Sequence, residues 1–140
     1  MKYQPSANAF SIPVRVYYED TDAGGVVYYA NYLKFFERCR TEWMRVAGYG
    51  QAQLASDAGI GFVARKASCE YLKPARLDDE LVVGLEVEKL TRVRVVFRQH
   101  VRRGDDELVT GSVEIACVNM ATMTPAPIPD YLHAKLEALK

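Results

Sequence analysis

The feature that most constrains the fold of this chain is one long helical pattern followed by four segments of alternating residues. From about Tyr29 to Ala47, apolar side chains recur at the spacing of an amphipathic helix. They are Tyr32, Phe35, Phe36, Cys39, Trp43, Val46 and Ala47. Because this face is so rich in aromatic residues, we expect the helix to be largely buried. Gly48 suits the left-handed position just past a helix end.

Alternation of apolar and polar side chains predicts strands over residues 12–18, 62–72, 81–88, 92–102 and 107–120. A short helix is expected over residues 129–140. Short connections between the later strands favour antiparallel pairing. We therefore expect a single α+β domain over residues 1–140, with one helix on one face of an antiparallel sheet. Since one helix cannot cover so broad a sheet, we also expect self-association.

Charge and composition exclude several classes of partner. The chain has 18 basic and 18 acidic side chains, so no overall field attracts nucleic acid. No apolar run approaches the ~20 residues of a membrane span, and residues 1–11 lack the apolar core of a signal peptide. Cys39, Cys69 and Cys117 match neither a disulfide framework nor a zinc pattern. They fit a reducing compartment, so we expect a cytoplasmic protein.

The most informative segment for chemistry is the acidic loop over residues 19–25, just before the long helix. It contains Glu19, Asp20 and Asp22, and its closing glycines let backbone approach a substrate closely. The first N–H groups of a helix are unpaired and lie at the positive end of its dipole, so they can hold a developing oxyanion. A carboxylate beside them can act as nucleophile or general base towards an acyl carbonyl.

Two other interpretations fit the same loop. Asp-Thr-Asp followed by glycines is ordinary turn composition, and composition alone favours the turn. Carboxylates can also bind a hard cation, but no Glu stands at the last ligand position of a calcium-binding loop, and residues 26–29 are poor ligands. A metal site is therefore the least favoured of the three interpretations.

The segment also resembles the signature of the 4-hydroxybenzoyl-CoA thioesterase family of hotdog proteins, including its Tol–Pal-associated branch. The matching residues are Tyr18, Thr21-Asp22, Ala23-Gly24, Gly25-Val26-Val27-Tyr28, Asn31-Tyr32-Leu33 and Phe36-Glu37, with a second match at Tyr71-Leu72-Lys73-Pro74-Ala75. The resemblance spans nearly the whole chain. It implies a hotdog fold, in which a five-stranded antiparallel sheet wraps around one long central helix.

The resemblance also implies an activity, the hydrolysis of a small or medium aliphatic or aromatic acyl-CoA to a carboxylic acid and free coenzyme A. Catalysis is assigned to Asp22 and to the backbone N–H of Tyr29, which would polarise the thioester carbonyl. Asp20 occupies an acidic position of the same motif to which no catalytic role is assigned. The Tol–Pal-associated branch usually has His where this chain has Tyr29. This difference leaves the branch and the acyl group open, but it does not affect a backbone N–H donor, which does not depend on the side chain.

Further residues are expected to contact the substrate because of the same resemblance: Gly25, Val26, Tyr28, Asn31, Tyr32, Arg92 and Arg94. For the two arginines the family places the phosphates of coenzyme A close by, and guanidinium groups suit phosphate through paired N–H donors. A solvated sheet face explains them equally well. The tyrosines could line an aryl pocket or only pack against the helix. No cofactor is expected, because coenzyme A is part of the substrate.

Three functions remain open at this point. The first is the thioesterase, expected to be a homodimer or a dimer of dimers. The second is a hotdog dehydratase, disfavoured because no His precedes His100. The third is a non-catalytic protein that binds acyl-CoA or an acyl carrier protein, or that associates with an envelope complex. A Ser-His-Asp triad is unsupported, and the cysteines are expected to be inert packing residues.

Overall fold

The computed structural model of the protein describes residues 9–140. Five strands and three helices follow one another in this order: β1 (Phe10–Arg15), α1 (Asn31–Val46), α2 (Gln51–Ala58), β2 (Ile60–Tyr71), β3 (Glu80–Leu90), β4 (Arg94–Arg103), β5 (Asp106–Asn119) and α3 (Asp130–Glu137). The predicted α+β class, with one long helix on a five-stranded antiparallel sheet, is confirmed. The prediction of a single domain also includes residues 1–8, which lie outside the described range.

The strands form one sheet in the order β1-β3-β4-β5-β2, and every neighbouring pair is antiparallel. Irregularities in register interrupt three of the pairings, and such bulges increase the twist of a sheet. The two edges are β1 and β2. The edge strand β2 is 12 residues long, and its middle residues, from Ala64 to Ser68, are exposed.

The long helix α1 packs its aromatic face on this sheet, as the sequence predicts. Phe35 and Phe36 are fully buried against the strands. The Phe36 ring fits over Gly111 of β5, where an added Cβ would lie only 2.6 Å from a ring carbon. Truncating such a buried Phe typically costs about 3–5 kcal/mol of unfolding free energy. The position of α1, and therefore of the loop before it, is fixed by this packing.

Several boundaries differ from the sequence prediction. The helix α1 begins at Asn31 rather than at about Tyr29, and Val46 is 74% exposed instead of lying on the apolar face. The strand β1 ends at Arg15, and a 3-10 turn over Tyr18–Asp20 replaces its predicted end. Helix α2 was not predicted, because Leu54 is its only buried apolar residue among those whose side chains are described.

No helix within residues 9–140 is both long enough and apolar enough to cross a membrane.

Candidate active site

The acidic loop folds into a short two-stranded ribbon in front of α1. The carbonyl of Asp20 accepts a hydrogen bond from the N–H of Tyr28 at 3.0 Å, and the N–H of Asp22 donates to the carbonyl of Val26 at 2.9 Å. Next to the ribbon, the N–H of Val27 donates to the carbonyl of Ala75 at 2.9 Å. The ribbon is therefore held between the start of α1 and the turn that follows β2.

The loop base, which we define as Tyr17, Asp20 and Asn31, is built around a buried carboxylate. Asp20 is only 8% exposed. Its Oδ1 accepts a hydrogen bond from Nδ2 of Asn31 at 2.8 Å, and its Oδ2 accepts one from the N–H of Tyr17 at 2.8 Å. A buried carboxylate is tolerated when it has such donors. Asp20 thus ties the ribbon to the first residue of α1.

The loop tip, which we define as residues 22–25, presents its carboxylate to solvent. Oδ1 of Asp22 accepts a hydrogen bond from the N–H of Gly24 at 2.8 Å, which closes a tight turn. Oδ2 of Asp22 accepts no hydrogen bond from residues 9–140. Gly25 has a φ of +78°, a conformation that side chains disfavour. The second carboxylate oxygen is therefore available to a substrate or a water.

The Tyr29 peptide lies between the ribbon and α1. The N–H of Tyr28 donates to the carbonyl of Asp20, and the N–H of Asn31 donates to the carbonyl of Tyr28 at 2.8 Å. Between them, the N–H of Tyr29 has no acceptor within residues 9–140. Its carbonyl accepts a hydrogen bond from the hydroxyl of Tyr71 at 3.1 Å, which helps to fix the peptide. An unpaired donor near a helix N-terminus can stabilise a developing negative charge.

Aromatic side chains form a cleft of about 250 Å³ beside this peptide. The rings of Tyr29 and Tyr71 meet edge to face, with 6.3 Å between their centroids. The centroid of the Tyr71 ring also lies 5.7 Å from that of the Tyr32 ring. Tyr29 and Tyr71 are 62% and 46% exposed. Large apolar groups exposed beside a polar loop often mark a binding surface.

The family to which this architecture belongs follows from comparison with known proteins. The model of the thioesterase superfamily matches residues 24–110, more than half of the sequence. The chain belongs to the thioesterase superfamily. The acyl-CoA thioesterase YbgC of Haemophilus influenzae is 43% identical over 133 residues, which cover 95% of this chain and 98% of that protein. The acyl-CoA thioester hydrolase YbgC of Escherichia coli is 41% identical, over 91% of this chain and 96% of that protein.

A solved structure of a related protein has the same fold. The probable thioesterase from Bartonella henselae superposes with a TM-score of 0.83 at 37% identity, over 86% of this chain and 99% of that chain. The predicted family, the hotdog fold and the enzyme class are therefore confirmed. The family match begins at Gly24, just after Asp22, so the roles of individual residues stay predictions.

The structure brings several of the predicted site residues of this thioesterase together. Asp22, Gly25, Val26, Tyr28 and Tyr29 all lie on the ribbon or directly after it. As substrate contacts they stay predictions.

Asn31 and Tyr32 lie beside the ribbon but are buried, at 7% and 3% exposure. The amide of Asn31 donates to Asp20, and the hydroxyl of Tyr32 accepts from the N–H of Ala75 at 3.1 Å. Their side-chain polar groups therefore already have partners inside the thioesterase chain.

Arg92 and Arg94 are not brought to the loop of the same chain. Arg92 precedes β4 and pairs with Asp130 at 3.2 Å, and Arg94 is the first residue of β4. The opposite end of β4 is the one near the ribbon, because Arg103 pairs with Asp79 in the turn after β2 at 2.7 Å. At ~3.3 Å per residue, the nine steps from Arg94 to Arg103 span roughly 30 Å. Within one chain, Arg92 and Arg94 therefore lie far from the loop. Their assignment to the phosphates of coenzyme A stays a prediction.

Sequence reasoning missed Arg76, a basic residue that does lie beside the ribbon. Val26 of the ribbon pairs with Arg76 through a β-bridge, and Arg76 is exposed. Its N–H donates to Oδ2 of Asp79 at 2.8 Å. Although burial opposes it, hydrogen bonds from Arg76 and Arg103 lower the pKa of Asp79, which remains an anchor for this turn. The signal was available, because Arg76 directly follows the second family match.

The three cysteines are the remaining candidates for reactive side chains. Burial raises the pKa of the Cys39 thiol to about 12, and also raises the pKa values of Cys69 and Cys117. These directions agree with inert, packed thiols, since only a thiolate is a good nucleophile. Within residues 9–140, no group of three or more His, Cys, Asp or Glu side chains is arranged to hold a metal ion.

Proposed function

We propose that this thioesterase cleaves acyl-CoA thioesters at the loop tip, with Asp22 as the catalytic carboxylate and the N–H of Tyr29 as donor to the carbonyl oxygen. One observation carries the proposal. The exposed carboxylate of Asp22 lies on the hydrogen-bonded ribbon, and the unpaired N–H of Tyr29 directly follows this ribbon at the N-terminus of α1. A nucleophile or base beside an oxyanion donor is what acyl transfer requires.

The chemistry can follow two routes from this arrangement. In the first, Asp22 removes a proton from water, the water oxygen bonds to the carbonyl carbon, and the C–S bond breaks. The proton then passes to the departing thiolate, which gives a carboxylic acid and free coenzyme A. In the second, the Asp22 carboxylate attacks the carbonyl carbon, and the C–S bond breaks to release coenzyme A as a thiolate. Water then hydrolyses the resulting anhydride, which gives the carboxylic acid, restores the Asp22 carboxylate and supplies the proton that the thiolate takes up. In both routes the carbonyl oxygen becomes negative, and the N–H of Tyr29 stabilises it.

The substrate class that we propose is a small or medium acyl group, aliphatic or aromatic. The aromatic cleft beside Tyr29 has the size and character to receive it. Relatives named acyl-CoA thioesterase or acyl-CoA thioester hydrolase support coenzyme A as the carrier. Arg76 is the basic side chain that we propose for its phosphates, because it lies beside the ribbon.

We also propose that the working form is a homodimer or a dimer of dimers with the site near the subunit interface. The exposed middle of the edge strand β2 supports this, because an unpaired edge is a template for pairing with a second copy. Light scattering is expected to give twice or four times the chain mass, and a stable, active monomer would contradict the proposal. The cytoplasmic location and an association with an acyl carrier protein or envelope complex stay predictions.

A panel of acyl-CoA substrates tests the function. Butyryl-, octanoyl- and benzoyl-CoA are incubated with the protein, and the release of free thiol is measured. We expect turnover of at least one of them. Tight binding without thiol release across the panel would instead favour the non-catalytic, acyl-CoA-binding alternative.

A further inference from the structure

A second cavity lies between the C-terminal half of α1 and the sheet, away from the loop tip. Its volume is about 190 Å³, far above the roughly 10–15 Å³ that a single water requires. Residues of α1, β2, β4, β5 and α3 form its wall, which is mostly apolar: Glu37, Arg40, Met44, Phe62, Ala64, Val95, Phe97, Ile115 and Leu136.

Arg40 is the cation in this wall, and the exposed Glu37 is its other charged residue. Its Nη1 donates a hydrogen bond to Oε1 of Gln99 at 2.8 Å. Gln99 is fully buried and is itself held by a bond from its Nε2 to the carbonyl of Phe36 at 3.0 Å. Arg40 makes no ion pair with a carboxylate of residues 9–140. Burial lowers the pKa of Arg40, and the charge of Glu37 opposes this only in part.

A guanidinium with five N–H donors is therefore half-buried against a neutral amide. A partly desolvated cation without a carboxylate partner is costly. An oxygen acceptor that enters the cavity would supply the missing partner, and a charged one would do so best.

One side of α1 leads from the candidate active site to this cavity. Leu33, Glu37, Arg40 and Met44 recur at helical spacing after Tyr29, so they share one face. The edge strand β2 spans the same two places, because its end at Tyr71 lies beside Tyr29 and its beginning contributes to the cavity. Nine residues separate Asn31 from Arg40, which places the cavity roughly 14 Å along the helix axis. An extended acyl chain of about twelve carbons, at the long end of the medium range, covers that distance.

We propose that this cavity binds the distal end of the acyl group, and that Arg40 selects medium-chain acyl-CoA substrates that end in an oxygen acceptor, above all an ω-carboxylate. The inference rests on the proposed function, because it names the substrate class of the same site. A purely structural Arg40 would join α1 to Gln99 without affecting the choice between substrates.

Two substrates of equal chain length test the proposal: dodecanoyl-CoA and the mono-CoA thioester of dodecanedioic acid. We expect the wild-type kcat/KM for the dodecanedioyl substrate to be higher by about ten-fold or more, the scale of a hydrogen bond to a charged group. In Arg40→Met the ratio should fall to about one. Arg45→Met is the matched control, because Arg45 is exposed and pairs with Glu42 on the helix surface, so the ratio should be unchanged.

The outcomes separate this inference from the function on which it rests. If wild type cleaves dodecanoyl-CoA as well as or better than the dodecanedioyl substrate, the inference is overturned and the thioesterase function stands. If neither these substrates nor short acyl-CoA substrates are cleaved, both fall. Should Arg40→Met fail to fold, Arg40→Lys keeps the charge with fewer donors and should retain only part of the preference. The wild-type ratio remains decisive in either case.

Discussion

The loop base and the loop tip differ sharply, although they lie within a few residues of each other. At the base, Asp20 is 8% exposed and both of its carboxylate oxygens accept hydrogen bonds from the chain. At the tip, Asp22 is exposed, and the only partner of its carboxylate within residues 9–140 is the N–H of Gly24. The first carboxylate is fully engaged in holding the ribbon against α1, and the second has an oxygen left for chemistry.

The difference teaches that burial and partners, rather than local composition, divide structural from chemical roles in an acidic loop. Asp20 and Asp22 flank the same threonine and look alike in the sequence. A rigid base also explains how an exposed carboxylate can be held in position, because catalysis requires geometry that side-chain motion would spoil. The predictions below test this division of roles.

The largest effect is expected for Asp22→Asn, which keeps size and shape but removes nucleophilicity and basicity. We expect kcat to fall by roughly two to four orders of magnitude, the scale of general-base catalysis. KM and the melting temperature should change little, because the side chain is exposed and has one partner. Steady-state kinetics and thermal unfolding of the same preparation check both parts. Turnover near the wild-type rate would refute the assigned role of Asp22.

The next effect is expected for Asp20→Asn, and it falls on stability. An amide cannot accept both existing hydrogen bonds in the same geometry, so either the part-buried N–H of Tyr17 or the buried amide of Asn31 loses its acceptor. Such a loss typically costs about 1–3 kcal/mol of unfolding free energy. Denaturant unfolding measures it. The drop in kcat should be smaller than for Asp22→Asn, and unchanged stability would show that the loop base is not what holds the ribbon.

A smaller, purely kinetic effect should distinguish Arg76 from Arg94. If Arg76 contacts phosphate, Arg76→Ala raises KM for acyl-CoA with kcat maintained, which is the signature of lost uniform binding. Arg94→Ala, at the far end of β4, is the matched control and should leave KM unchanged unless a second subunit brings Arg94 to the site. A larger KM effect at Arg94 than at Arg76 would reverse the assignment.

The smallest effect is expected from metal removal. The loop carboxylates do not meet the arrangement of a metal site among residues 9–140, since Asp20 is occupied by its own donors. Treatment with a chelator should therefore leave thiol release unchanged. Activity that disappears with chelator and returns with a divalent cation would revive the cation interpretation of the loop.

The sequence predicts the helices and strands better than it predicts which of them lie next to each other in space. The aromatic face containing Phe35 and Phe36 predicts the buried helix, since packing and periodicity agree there. Helix α2 is not predicted, because Leu54 alone cannot create a periodic pattern of apolar residues. The resemblance assigns Arg92 to the phosphates of coenzyme A, but only the sheet topology shows which end of β4 approaches the ribbon of the same chain.

The candidate site shows the same limit. The resemblance predicts the catalytic roles of Asp22 and Tyr29, whereas the structural role of Asp20 depends on a contact with Asn31, 11 residues away. That contact joins the loop to the first residue of α1, so no local pattern reveals it.

The most direct test of the account is a crystal structure of Asp22→Asn with bound octanoyl-CoA, whose hydrolysis the substitution should slow. We predict that the thioester carbonyl oxygen lies about 3 Å from the N–H of Tyr29, within hydrogen-bond distance, with the substituted side chain at position 22 facing the carbonyl carbon. A thioester bound away from the loop tip, or a carbonyl that points away from Tyr29, would contradict the central claim.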